Sequence, residues 1–265
     1  MEPPSPQAAR MLWSLLPYLP LGLLAGLLSG LLGIGGGLVF APMLLLAGLE
    51  PHQALATSTL AIVPTTLGST WTHLANRSLS LRPALAIASG AGLGAGLFSQ
   101  LSLVLRGWQL LALQALMYAV LTAAIQPHQA SSDGVPPAPN LPGLSAVGGM
   151  AGLATGMLGI GGGLVMVPLM VRFLQVPIHL AVRFSGLAVL VSATVASTTF
   201  LTDGRALLPI GLALGGTAAL AARWSAARLD RVSEVYLVWM LRALTMVLAL
   251  QSGSEALQLL LGPRG

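Results

Sequence analysis

The residues of this chain best suited to binding a small ligand are concentrated in two glycine-rich segments. Residues 30–42 read GLLGIGGGLVFAP, and residues 156–168 read GMLGIGGGLVMVP. A helix that starts at a glycine break presents free backbone amides and the positive end of its dipole, and both favour an anion. These segments therefore predict recognition of a negatively charged group by backbone N–H.

Other chemistries are poorly supported by the residue types present. A phosphate-binding loop needs a lysine after its glycines, and the chain contains no lysine. It contains no cysteine, which excludes disulfides, thiolate catalysis and cysteine-ligated metals. An intramembrane protease would need a Gly-x-Ser-Gly nucleophile, but Leu27 precedes Ser29 and Arg183 precedes Ser185 where that glycine would stand. We predict no enzymatic activity, no catalytic residue, no metal and no cofactor.

Two arginines fall inside apolar segments, where a charge is costly and usually faces a cavity or a partner. Arg183 lies just inside an expected span at about 179–201, and Arg242 lies midway along one at about 234–251. Each is a candidate anion contact. Alternatively, Arg183 extends to the membrane interface, and Arg242 pairs with an internal acid or with backbone carbonyls. The acidic residues all fall in loops or at span ends, which leaves His73 as a candidate coupling group or simply a solvated helix end.

The composition identifies an integral membrane protein. Hydrophobic residues make up 55% of the chain and charged residues only 7%, against about 25% in a soluble domain. The net charge is +5, but the arginines are scattered over short loops and form no stripe with aromatics, so nucleic-acid binding is not expected. The expected environment is the lipid bilayer.

The glycine segment occurs twice at a spacing of 126 residues, so the chain is a tandem duplication. Glycines and Pro42 interrupt a helix, and the same holds for Pro168, which predicts a break in the first helix of each copy. We expect an all-α, polytopic protein with about eight transmembrane helices in two tandem four-helix repeats with glycine-broken first helices. Its parts are a polar leader (1–17), a first repeat (18–125), a linker (126–142), a second repeat (143–251) and a tail (252–265).

An even number of spans per copy predicts that both copies enter the membrane from the same side, as parallel repeats, with the linker on the face of both termini. A re-entrant pair at the glycine break would reverse this conclusion. The densest arginine cluster is Arg223, Arg228 and Arg231, and placing it in the cytoplasm puts both termini outside.

Unwound backbone inside a membrane is tolerated only where protein buries it or where it lines a cavity. Paired breaks in two repeats therefore indicate a binding site near the midplane of the bilayer. The alternative is that the glycines only allow helices to pack closely.

The doubled segment, in a chain of about eight spans, resembles the TauE/SafE sulfite exporter family over residues 20 to 250. The resemblance implies transport of sulfite, sulfoacetate or related anions, mostly outward across the bacterial inner membrane. It also implies that a hydroxyl cluster at Thr57, Ser58 and Thr59 contributes to the site. At the spacing of 126 the second copy departs from this cluster, with Arg183, Phe184 and Ser185 at the aligned positions.

We therefore expect a multi-pass inner-membrane transporter of a small anion, with homo-oligomerisation left open. The alternatives are an uncoupled anion channel or facilitator and a non-transporting membrane scaffold. The predicted substrate-binding residues are Gly33, Gly35, Gly36, Gly37, Pro42, Thr57, Ser58, Thr59, Gly159, Gly161, Gly162, Gly163, Pro168, Arg183, Ser185 and Arg242.

Overall fold

A computed structural model describes residues 18–124 and 140–261. The predicted leader, most of the linker and the last four residues lie outside the described residues. The only regular elements of the described part are helices, which confirms the all-α expectation. Its elements are α1 Tyr18–Leu32, α2 Gly37–Leu46, α3 Pro51–Ala75, α4 Leu81–Val104, α5 Gly107–Ala124, α6 Leu141–Leu158, α7 Gly163–Phe173, α8 Ile178–Thr202, α9 Leu208–Ala226, a short 3-10 helix Leu229–Arg231, and α10 Glu234–Leu261.

Both glycine segments break the helix, as predicted. In each copy three glycines have positive φ, a conformation that residues with a side chain rarely adopt. They are Gly33, Gly35 and Gly36 in the first copy and Gly159, Gly161 and Gly162 in the second. Because each broken segment is two helices, the described chain has ten α-helices where about eight were expected.

The first break reverses the chain. Helices α1 and α3 both run parallel to α9, whereas α2 runs back along α3, with Gly37 opposite Ile62 and Leu45 close to Pro51. Helices α1 and α2 therefore form a hairpin that returns to the side from which it came. The contacts that fix the two parallel pairs are Gly22–Leu214, Gly30–Ala222, Thr57–Gly211 and Gly68–Ala219.

The two copies are inverted relative to one another. Helix α8 runs parallel to α4, since Gly92 faces Val191 and the hydroxyls of Ser99 and Thr199 are 3.1 Å apart. It is therefore antiparallel to α3, its counterpart in the first copy. The counterparts α5 and α10 are antiparallel as well, through the pairs Thr122–Thr245 and Ala115–Gly253.

The expectation of parallel repeats is therefore wrong. Each copy holds a hairpin and three further helices, so its last helix ends on the face opposite to that on which its first helix begins. The second copy must consequently enter from the other side. Helix α1 begins and α10 ends on one face, while α5 ends and α6 begins on the opposite face, whereas parallel repeats would put these four helix ends on one face.

The spacing between equivalent residues changes from 126 to 127 after the glycine segments. His52 hydrogen-bonds the carbonyl of Leu105 at 2.9 Å, and His179 makes the same contact with the carbonyl of Val232 at 3.1 Å. The shift arises because α7 has 11 residues where α2 has 10. The residue equivalent to Arg183 is therefore Ala56, which corrects the alignment with Thr57.

The helices suit a membrane in length and composition. Four of those described are long and apolar enough to span a bilayer, namely α4, α6, α8 and α10. Large apolar side chains such as Leu93 and Leu97 face outward. Inside, α4 and α6 approach so closely that a Cβ on Gly148 or Gly152 would collide with backbone carbonyls of α4, as expected for helix contacts in lipid. The chain is thus a multi-pass membrane protein.

Candidate substrate-binding site

The two glycine breaks touch each other at the centre of the protein. A Cβ atom added to Gly37 would lie 2.9 Å from the carbonyl oxygen of Gly159, and one added to Gly161 would lie 2.6 Å from that of Ile34. Only glycine permits this approach of backbone to backbone. The segments that the sequence marks as a pair are therefore brought together.

Two serines bind the breaks across the inverted copies. Ser58 Oγ of α3 donates to the carbonyl of Gly159 at 3.2 Å, and Ser185 Oγ of α8 donates to the carbonyl of Gly33 at 3.0 Å. Both serines are fully buried. Each copy thus supplies the hydroxyl that satisfies a carbonyl freed by the break in the other copy.

The N-termini of α2 and α7 lie at this crossing. The first helical bonds of α2 run from the amides of Val39 and Phe40 to the carbonyl of Gly36. Within residues 18–124 and 140–261, the amides of Gly35, Gly36 and Gly37 form no hydrogen bond to backbone or side chain. Free amides at a helix N-terminus can bind the oxygens of an anion.

The helix dipoles add to this effect. Helices α2 and α7 start from opposite sides of one crossing, so the positive ends of both dipoles are directed to the same region. Pro42 and Pro168 lie in the second turns of α2 and α7. Because proline has no amide donor, neither residue can donate a backbone hydrogen bond at the breaks.

The remaining hydroxyls of the predicted cluster have structural contacts. Thr57 Oγ1 accepts from the amide of Leu207 at 3.0 Å and thereby ties α3 to the start of α9. Thr59 Oγ1 donates to the carbonyl of Leu55 at 2.8 Å within its own helix. Of the three hydroxyls, only that of Ser58 hydrogen-bonds a glycine break.

Arg183 lies at one edge of the crossing, two residues before Ser185, and is engaged by the protein. Its Nη2 is 2.5 Å from Asp230 Oδ1, and its Nη1 donates to the carbonyl of Ser78 at 3.4 Å. The Arg183 side chain is 16% exposed, whereas that of Asp230 is 71% exposed. The guanidinium thus reaches from the interior to a surface carboxylate.

The structure does not bring Arg242 to this crossing. Its guanidinium lies 5.7 Å from the ring centre of Trp239 on the same helix, and α10 packs mainly along α5. The sequence did not mark Thr70 or Asp230 as site residues, and it gave His73 only a coupling role; in the fold Asp230 binds Arg183, and Thr70 lies close to Gly186, one turn away on α8. Their proximity depends on the antiparallel pairing of α3 with α8, which only the inverted arrangement reveals.

Comparison with known proteins identifies the family. The model of the family described as Sulfite exporter TauE/SafE matches residues 18–252. A probable membrane transporter protein of Xylella fastidiosa (strain 9a5c) is 32% identical over 184 residues, covering 66% of this chain and 70% of the relative. The probable membrane transporter protein YunE of Bacillus subtilis (strain 168) is 26% identical over 210 residues, covering 69% and 77%. No solved structure matches the chain with statistical significance. The family match spans both glycine hairpins and nearly all of the helices around them, so the chain belongs to the TauE/SafE sulfite exporter family.

Proposed function

We propose that this protein moves a small anion, a sulfur oxyanion or organosulfonate, outward across the bacterial inner membrane. The observation that carries the proposal is the meeting of two helix N-termini, with unpaired glycine amides, at the centre of an inverted repeat. Membership of the TauE/SafE family supports a transporter and a sulfur-containing substrate. Oxygens of a sulfite or sulfonate are suitable acceptors for several backbone N–H groups at once.

Inverted repeats supply a mechanism for moving such a substrate. Two copies of one fold in opposite orientations can exchange conformations, so that the state open to one face mirrors the state open to the other. The contacts of Ser58 and Ser185 are the connections that such an exchange would break in turn. The close approach of Gly37 to Gly159 then corresponds to a closed state, from which the hairpins separate to admit an anion.

An uncoupled facilitator is the second candidate, and a specific observation favours it. Of the five acidic residues in the described part of the chain, Glu50, Asp203, Asp230 and Glu234 lie in loops or at helix ends, Glu255 lies within α10, and none is buried. A buried carboxylate, the usual proton relay inside a membrane protein, is therefore not seen among the described residues.

Flux measurements in liposomes separate the candidates. Purified protein is reconstituted, and uptake of labelled sulfite is followed with and without an imposed proton or sodium gradient. Accumulation above equilibrium identifies a coupled transporter, passive equilibration identifies a facilitator, and absence of flux contradicts both. Competition by thiosulfate, sulfoacetate and simple carboxylates then ranks the substrates.

A further inference from the structure

Arg183 carries donor capacity that the protein leaves unused. Its Nε atom is buried and has no hydrogen-bond partner among the described residues, and the same is true of Thr70 Oγ1 on α3. Gly186 lies one turn from Arg183 on α8, and a Cβ added there would be 3.5 Å from Thr70 Oγ1. The residues that carry these two unpaired donors therefore lie about one helical turn apart along the gap between α3 and α8.

Buried donors without partners are uncommon, because each costs the free energy of its lost hydration. Here one of the two belongs to a guanidinium whose Nη2 is bound to the exposed Asp230. An oxyanion with three oxygens could accept from the guanidinium and from the Thr70 hydroxyl together. The Asp230 carboxylate binds only Nη2 of Arg183, so Nε of the same guanidinium stays without an acceptor.

The equivalent place in the other copy has a different chemistry. With the spacing of 127, the counterparts of His73, Arg183 and Asp230 are Phe200, Ala56 and Leu103. These three residues pack in one apolar cluster. One end of the crossing is thus held by an ion pair and the other by hydrophobic contact, although the backbone arrangement is shared.

We propose that Asp230 occupies the place of the transported anion at Arg183, so that an anion entering from this end displaces the Asp230 carboxylate. The incoming anion binds the guanidinium and Thr70, and the short helix that carries Asp230 is released from α8. At this end, the contact between the short helix and α8 is therefore opened by substrate. At the other end, the crossing is held by the apolar packing around Phe200. This inference rests on the proposed function and deepens it by naming the residues that select and admit the anion.

The strength of the ion pair suits this role. A pair in which one partner is largely exposed is weak, so a substrate at millimolar concentration can compete with it. Arginine binds oxyanions through two parallel hydrogen bonds, which a lysine cannot reproduce. Displacement of Asp230 thus replaces one weak ion pair with an oxyanion, which offers more acceptor oxygens to Arg183 and Thr70.

The test compares Asp230→Asn with Asp203→Asn in liposomes loaded with labelled sulfite. Asp203 pairs with Arg205 in a loop away from the crossing and is the matched control. We expect Asp230→Asn to lower the half-saturation concentration for sulfite by about two- to fivefold, because the competing carboxylate is gone. Asp203→Asn should leave it unchanged. Equal half-saturation in the two variants would overturn the proposal.

A second pair of variants tests the donor on α3. Thr70→Val should raise the half-saturation concentration by about two- to tenfold, while Ser197→Ala, its counterpart in the other copy, should have no effect. An unchanged value for Thr70→Val would count against the subsite even if the protein transports sulfite normally. Wild-type protein that gives no flux with any tested anion would instead contradict the proposed function, so the two failures are distinguishable.

Discussion

Ser58 and Ser185 occupy equivalent positions in the two inverted copies, and each hydrogen-bonds the glycine break of the other copy. Ser58 Oγ lies 3.2 Å from the carbonyl oxygen of Gly159, and Ser185 Oγ lies 3.0 Å from that of Gly33. These two hydrogen bonds join the first hairpin to α8 and the second hairpin to α3. A change in one hairpin therefore alters contacts made by the opposite copy.

The first prediction is that Ser58→Ala and Ser185→Ala destabilise the protein by similar amounts. Each substitution leaves a buried glycine carbonyl without its side-chain donor, which costs about 1–3 kcal/mol. Thermal unfolding in detergent measures the effect. Ser254→Ala is the control, because that exposed hydroxyl only bonds the carbonyl of Gln251 within its own helix. A wild-type melting temperature in both core variants would show that these hydrogen bonds do not hold the breaks.

The second prediction concerns the approach of the two breaks. Gly37→Ala should abolish sulfite flux or lower the melting temperature, because its methyl group would lie within 2.9 Å of Gly159 backbone. Gly216→Ala is the matched control, since a Cβ there meets no atom within 4 Å. Flux and thermal stability are measured together in reconstituted and detergent-solubilised protein. Wild-type behaviour of Gly37→Ala in both measurements would remove the crossing from the mechanism.

The sequence predicts the breaks well but not their consequence. Four glycines in five residues, repeated at a fixed spacing, identify two interrupted helices inside apolar segments, and the structure confirms both. The pattern shows that a helix ends, but it does not give the direction of the next one. That direction depends on packing of α2 against α3 and of α1 against α9, which are contacts between distant parts of the chain.

The charged edge of the site could not be predicted for a related reason. Arg183 and Asp230 are 47 residues apart, and the strong match of the glycine segments suggests the wrong spacing for every later position. Because α7 has one more residue than α2, the spacing of 126 aligns Arg183 with Thr57 in place of Ala56, an error of about 100° around the helix. Apolar periodicity is not informative here because lipid covers the outer faces.

The third prediction distinguishes an anion contact from a residue that only reaches the interface. Arg183→Lys should raise the half-saturation concentration for sulfite by about tenfold, because an ammonium group cannot bind an oxyanion through two parallel hydrogen bonds. Arg183→Ala, which restores the residue of the first copy, should raise it further. Arg172→Lys, at an exposed position near the end of α7, is the control. Unchanged half-saturation and anion selectivity in both Arg183 variants would remove this residue from the site.

The fourth prediction tests the inverted arrangement, and the absence of native cysteine makes it accessible to labelling. Asn76 directly follows α3, Gln175 precedes α8 and Thr202 ends α8, and all three are exposed. Because α3 and α8 are antiparallel, cysteines at 76 and 175 should react with an impermeant maleimide from one face of the membrane. A cysteine at 202 should react only from the other face.

Parallel repeats predict a different pattern, so the experiment decides between the arrangements. In that case residues 76 and 202, which both follow the long helix of their copy, would share a face, and 175 would lie opposite. Right-side-out cells and inverted vesicles expressing the same single-cysteine variants provide the two faces. Inversion is also part of the proposed mechanism, in which two antiparallel copies exchange conformations between an outward and an inward state. Labelling of 76 and 202 from the same face would therefore contradict both the fold and the exchange of Ser58 and Ser185 contacts as the basis of transport.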